Sequence, residues 1–180
     1  MDCSRQDCLE GRGPHMTLLG AIDDATNKMR AAHFQIERED MAGYLCLFRN
    51  MVETAGIPWA IYRDQHSTLQ RYDSHWSTEE QRAGRALEEL GIEAIVPRSP
   101  QAKGSIEGTW RTFQNRLISQ LRVDGAATLD QANVTLSQFF ADYNTSFAKD
   151  AVQAGTDYRK LDFRSGPSAT RIGRRARICW

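Results

Sequence analysis

No stretch of this chain approaches the roughly 18 consecutive apolar residues of a membrane span. The opening Met1-Asp2-Cys3-Ser4-Arg5 lacks the apolar core of a secretory leader. Cysteine is scarce: four residues, at positions 3, 8, 46 and 179, are too scattered for a disulfide framework. Cys3 and Cys8 with nearby His15 lack the second ligand pair that a tetrahedral zinc site needs. Reduced, unpaired thiols and a cytoplasmic location are the expectation. Net charge is also missing, with 23 basic residues against 23 acidic ones. That balance argues against a dedicated non-specific nucleic-acid binder, which is usually basic. It leaves room for a catalytic core whose acidic cluster offsets a basic face. No internal repeat or low-complexity segment is present.

What is there is an ordinary globular composition, 41% hydrophobic and 26% charged over 180 residues, enough for one domain with a full core. Met16 to Asp23 is a short apolar run ended by Asp23-Asp24, which predicts a buried strand and a turn at Ala25-Thr26-Asn27. Lys28 to Ile36 reads as its hairpin partner, with Met29, Ala31, His33 and Gln35 on one face. Arg38 to Thr54 has helical spacing and a stop at Gly56. Trp59 to Tyr62 and Ile92 to Val96 read as strands. Between them, Ser77 and Glu80 form a capping box for a helix that ends at Gly91. Helices are predicted from about Lys103 to Arg122 and from Leu129 to Phe147. The order is strand, strand, helix, strand, helix, strand, helix, helix, which implies a mixed sheet with helices packed on it.

A core of residues 1–148 and a C-terminal extension over 149–180, irregular or partly disordered, follow from where the periodicity fades. From residue 159 onward, Arg159, Lys160, Arg164, Arg171, Arg174, Arg175 and Arg177 stand against only Asp162. The cluster either touches phosphates or is a solvated end. His33, Trp110, Phe113, Phe139, Phe140 and Tyr143 read as core residues.

Five segments, in order, carry a family resemblance. They are Asp2-Cys3-Ser4 with Leu9-Glu10-Gly11-Arg12-Gly13-Pro14, then Leu18 through Thr26, Tyr62 through Ser67, Gly84 through Ile92, and Ser99 through Glu107. Over about residues 2 to 148 the chain resembles the catalytic core of the retroviral-integrase superfamily. Within it, the chain is most similar to insertion-sequence transposases of the ISNCY type, with three catalytic carboxylates (DDE). The resemblance implies a ribonuclease H-like α/β fold, here with the first strand truncated at the N-terminus. It also implies a helix-turn-helix region for transposon ends, which these residues do not include.

The family's carboxylates map onto Asp2, just ahead of the Leu-Glu-Gly segment, onto Asp64, which closes the strand before the polar loop, and onto Glu107, on the helix after the Pro-Gln-x-x-Gly turn. Asp23 and Asp24 are decoys by position, although they are the alternative for the first carboxylate. Glu107 is followed by Gly108, where the family usually carries a basic residue. The three carboxylates would hold two Mg²⁺ or Mn²⁺ ions, since hard cations take oxygen ligands. Lys103 would contact a DNA phosphate and His66 would sit near the metals or the scissile phosphate. Each has an ordinary alternative, a solvated lysine and a loop histidine.

The implied activity is metal-dependent DNA strand cleavage and strand transfer (DNA integration, recombination and transposition). The implied partners are transposon-end and target DNA and further copies of the chain in a homo-oligomer. Two rival readings stand beside it. One is a catalytically inactive transposase remnant that only binds DNA or dimerises. The other is a structure-specific nuclease of the same fold.

Overall fold

The computed structural model describes residues 7–36, 41–62, 85–95, 100–152, 155–160 and 177–179; at 41, 100–106 and 177–179 only the backbone is described. The architecture is mixed α/β. The elements are β1 (Thr17–Asp23), β2 (Met29–Gln35), α1 (Met41–Ala55), β3 (Ile57–Pro58), β4 (Ala60–Tyr62), α2 (described over 85–89), β5 (Glu93–Ile95), α3 (Pro100–Val123), α4 (Leu129–Phe147), β6 (Tyr158–Arg159) and β7 (Arg177–Cys179). Five strands form one sheet in the order β2-β1-β7-β4-β5, and β3 pairs with β6 in a second, two-stranded sheet.

β1 is apolar almost throughout because both of its faces are covered. Leu18 and Ile22 point into a cluster with Phe34, Trp110, Phe113, Leu117, Leu121, Leu136 and Tyr143, which belongs to the α3–α4 side. Leu19 and Ala21 point the other way, into a cluster with Tyr44, Leu47, Met51, Ile61 and Ile92 under α1. The period-2 alternation of a strand therefore divides one hydrophobic run between two cores. The hairpin is as the sequence predicts, with one correction. The register slips between Ala21 and Ile22, so that Ala21 faces Ala31 but Ile22 faces Met29. This bulge moves Met29 off the Ala31 face and into the α3–α4 cluster.

β2 is an edge strand, and α4 covers its open edge by an unusual route. Asn133 accepts from the Phe34 N–H (2.9 Å) and donates to the Phe34 carbonyl (3.2 Å). Asn144 does the same for Met29, at 2.8 and 2.9 Å. The asparagines are about three helical turns apart, roughly 16 Å along the axis. Met29 and Phe34 are separated by a similar distance along an extended strand, roughly 16 Å. Each carboxamide thus stands in for a residue of a missing neighbour strand, which protects the edge.

Three further expectations change. α3 begins at Pro100, not near Lys103, and runs straight through Gly104. Proline is well suited to a first helical turn, where its missing N–H has no intrahelical acceptor to lose. β3 and β6 were not foreseen, because two-residue strands have no measurable periodicity. The C-terminal extension, expected to be irregular, contributes β6 and the central strand β7.

Candidate functional site

β4 and β5 run parallel, pairing Tyr62 with Ile95, and both point toward the same edge of the sheet. β4 leads at that edge into Arg63-Asp64, and β5 leads into α3 after four intervening residues. Of the predicted site residues, Asp2, Asp64 and His66 lie outside the described residues. Lys103 is placed on the first turns of α3 by its backbone alone. Glu107 is placed fully: it lies on α3, exposed to solvent, and among the described residues it has no hydrogen-bond or ion-pair partner.

Trp110 sets the height of Glu107 over the sheet. Its indole packs against Gly20 of β1, so closely that a Cβ at position 20 would collide with ring atoms Cη2 and Cζ3. A glycine is thus required by the close approach of helix and strand. The two registers meet at one level, because Ile22 pairs with Cys179 and Cys179 pairs with Tyr62. β1 runs antiparallel to β4 across β7, so Gly20 lies beyond Tyr62 in the direction in which β4 exits. Glu107 is one helical turn before Trp110 and projects from nearly the same helix face. The free carboxylate therefore belongs to the edge at which β4 delivers the chain toward Asp64.

α3 is held in that pose by aromatic packing. The rings of Trp110 and Phe113 stack at 5.8 Å, and Tyr143 meets Phe113 edge-on at 4.8 Å. The Tyr143 hydroxyl donates to the Thr109 carbonyl at 3.2 Å, tying α4 to the turn that follows Glu107. At the far end of α3, Arg122 forks onto Glu10, donating from Nε at 2.8 Å and also from Nη2. That contact holds the Glu10 carboxyl below the usual carboxylate range. The Leu9-Glu10-Gly11-Arg12-Gly13-Pro14 segment thus has a structural task. Leu9 is fully buried, Glu10 and Gly11 turn the chain at positive φ (52° and 77°), and Gly13 lies against the Ala127 carbonyl with no room for a Cβ.

Asp23 is engaged elsewhere. It is 3% exposed, and its Oδ2 accepts from Arg30 Nη2 at 2.5 Å and Nε at 3.1 Å. Oδ1 accepts from the Ala25 N–H at 3.0 Å, and the Tyr158 hydroxyl reaches Oδ2 at 3.4 Å. Arg30 also covers the Tyr158 ring at 4.7 Å. Burial, with the Asp23 charge alongside, raises the Tyr158 hydroxyl pKa far above that of a free tyrosine, so the hydroxyl stays a donor. This is a closed pin between β1, β2 and β6. Nothing singled out Arg30 or Tyr158 in advance, and no local pattern could have done so. Among the described residues no cluster of three or more His, Cys, Asp or Glu is positioned to hold a metal ion. No described helix is long and apolar enough to cross a membrane.

No family model matches the chain, and no solved structure matches it. Two curated proteins do. Over 164 residues it is 35% identical to "Putative transposase y4bF" of Sinorhizobium fredii (strain NBRC 101917 / NGR234), a match that covers 90% of this chain and 36% of the relative. Over 140 residues it is 30% identical to the transposase for insertion sequence IS1202 of Streptococcus pneumoniae, covering 75% of this chain and 30% of the relative. The chain spans about a third of the length of the curated relatives it matches. In sequence, then, this chain is similar to one segment of proteins named as insertion-sequence transposases.

Proposed function

We propose that this chain belongs to the catalytic core of an insertion-sequence transposase of the DDE type, with a ribonuclease H-like fold, and that it serves DNA strand cleavage and strand transfer. The observation that carries the reading is the placement of Glu107: a free carboxylate at the sheet edge where β4 exits toward Asp64, in a chain similar to transposases. Asp23 supports it from the other side, since Arg30, Ala25 and Tyr158 occupy its oxygens and leave it poorly suited to a metal. Asp2, Asp64 and Glu107 are accordingly the proposed ligands.

The donor chemistry fits Mg²⁺ or Mn²⁺, because an all-oxygen, carboxylate set with room for waters is what these hard cations take. Two such ions would supply activation of the attacking oxygen and stabilisation of the leaving 3′ oxygen. The chain's own task is to hold the three carboxylates at one edge. Asp64 would be supplied by the segment that follows β4, and α3, seated by Trp110 on Gly20, would supply Glu107. Lys103, one turn before Glu107, is the proposed phosphate contact, and His66 is proposed to line the same edge. The proposed partners are transposon-end and target DNA, and a second copy of the chain.

The test is thermal melting with increasing Mg²⁺ or Mn²⁺ for wild type, Asp64→Asn and Glu107→Gln. Wild type is expected to gain stability with metal, and both variants are expected to lose that gain. Glu107→Gln, being exposed, should melt within about 0.5 kcal/mol of wild type without metal. A flat metal response in all three folded proteins would sink the metal-site reading and favour an inactive remnant.

A further inference from the structure

Among the described residues, the five-stranded sheet consists of two parts whose backbone ladders only β7 joins. On one side stands the hairpin β1–β2; on the other stands the parallel pair β4–β5. Among the described residues no backbone pairing links β1 to β4 except through β7. Yet this central strand is short and shallowly inserted. It pairs with Ile22 and Asp23 of β1 and with Ala60, Ile61 and Tyr62 of β4. β1 is seven residues long, and Thr17 to Ala21 have no strand partner on that edge among the described residues.

We propose that the gap between β1 and β4 is a strand-acceptor site and that β7, the C-terminal strand, is its detachable occupant. Two observations make it detachable without unfolding the rest. First, the halves are held together independently of β7. Leu19 and Ala21 from β1 share one apolar cluster with Ile61 from β4 and Leu47 and Met51 from α1. β6 adds a second bridge, since it pairs with β3 just ahead of β4 while its Tyr158 hydroxyl reaches Asp23 of β1. Second, β7 is three residues long and pairs with only two residues of β1, and short, sparsely paired elements open at low free energy.

The gap nonetheless selects for a strand. The Asp23 N–H donates to the Lys28 carbonyl, toward β2, so by alternation the Ile22 N–H faces the gap. The Trp59 carbonyl accepts from the Glu93 N–H, toward β5, so Ala60 and Tyr62 face the gap from the other wall. Ile22, Ala60 and Tyr62 are buried residues, and their backbone groups need partners. The occupant that satisfies both walls runs antiparallel to β1 and parallel to β4. The gap also opens on the edge that β4 leaves at Tyr62. Whichever strand fills it therefore shapes the edge that carries Glu107.

The experiment compares the full 180-residue chain with its Ile178→Pro variant by residue-resolved amide hydrogen exchange, with a synthetic peptide of residues 171–180 as the probe. Proline in the middle of a central strand removes a ladder donor and does not fit the pleat. In the variant the Ile22, Ala60 and Tyr62 amides are expected to exchange at least about tenfold faster, while Phe113, Leu117 and Leu136 keep their protection. Excess peptide is expected to restore the three gap amides. Unchanged protection at those amides would overturn the proposal. So would loss of protection throughout the molecule, which would make β7 integral, or failure of the peptide to restore it. None of these readouts depends on metal or DNA, so the outcome stands apart from that of the transposase reading.

Discussion

The two halves of the sheet are built to different standards. The hairpin half has two seven-residue strands, a helix-borne asparagine clamp at each end of β2, and an aromatic cluster on its α3–α4 face. The parallel half has strands of three residues; β5 is largely exposed, and among the described residues the burial in its strands lies in Ala60, Ile61 and Tyr62 of β4. The difference teaches where stability and chemistry reside. The hairpin half supplies the scaffold on which α3 rests, whereas the parallel half delivers β4 to the candidate site. On the proposed function, weakly paired strands beside a strongly packed frame suit a site that admits a large substrate, since functional regions are drawn from the low-stability end of a fold.

The comparison breaks first at Phe113. It is fully buried against Trp110, Phe139 and Tyr143, and Phe113→Ala should cost about 3–5 kcal/mol in urea denaturation. A loss below about 1 kcal/mol would show that the α3–α4 side is not the stabilising half. Next comes Asn144→Ala, which strips both partners from the Met29 backbone and should cost about 1–3 kcal/mol. A neutral result there would mean that water replaces the clamp.

Cys8 sharpens the comparison through pH. Burial, with Asp7 adding to it, pushes the thiol from 9.0 up to about 11. The folded state therefore favours the neutral thiol. Its contribution is fully present below about pH 9, where the unfolded chain also keeps its proton, and is lost as pH rises from about 9 to about 11. Urea midpoints measured across that range should fall more steeply for wild type than for Cys8→Ala; parallel curves would refute the assignment. Smallest is Arg122→Ala. Its pairing with Glu10 is exposed, so the loss should be the smallest of the four and shrink further in high salt.

Legibility in the sequence followed the length of the pattern. α4 is read close to its observed bounds, Leu129–Phe147, because five turns of apolar spacing mark it; the structure adds a Thr128 cap whose side chain accepts from the Gln131 N–H. β1 is legible because an unbroken apolar run has few alternatives. Met29 was placed on the wrong face because a bulge depends on the strand opposite and leaves no mark in β2 itself. The roles of Asn133 and Asn144 have no local signal for a similar reason, since a clamp exists only once helix rise and strand rise are laid side by side. At the candidate site Glu107 is legible as a helix position and Lys103 as part of the Pro-Gln-x-x-Gly motif, although that motif forms the first turn of α3 and not a turn ahead of it. That Trp110 sets their height by resting on Gly20 is not legible.

The sequence by itself determined what is local: an α/β alternation, two long amphipathic helices, a hairpin whose first strand is buried on both faces, and residues similar to a transposase segment. Periodicity and turn chemistry act over a few residues, and a single chain records them directly. Only the tertiary structure decided which strand sits between β1 and β4, which carboxylate is consumed by an arginine and which remains free at the sheet edge. Those outcomes depend on contacts across more than a hundred residues, such as Asp23 with Tyr158 and Ile22 with Cys179. Backbone hydrogen bonding in a sheet is indifferent to sequence distance, so a C-terminal strand can fill a central gap that no local pattern reserves for it.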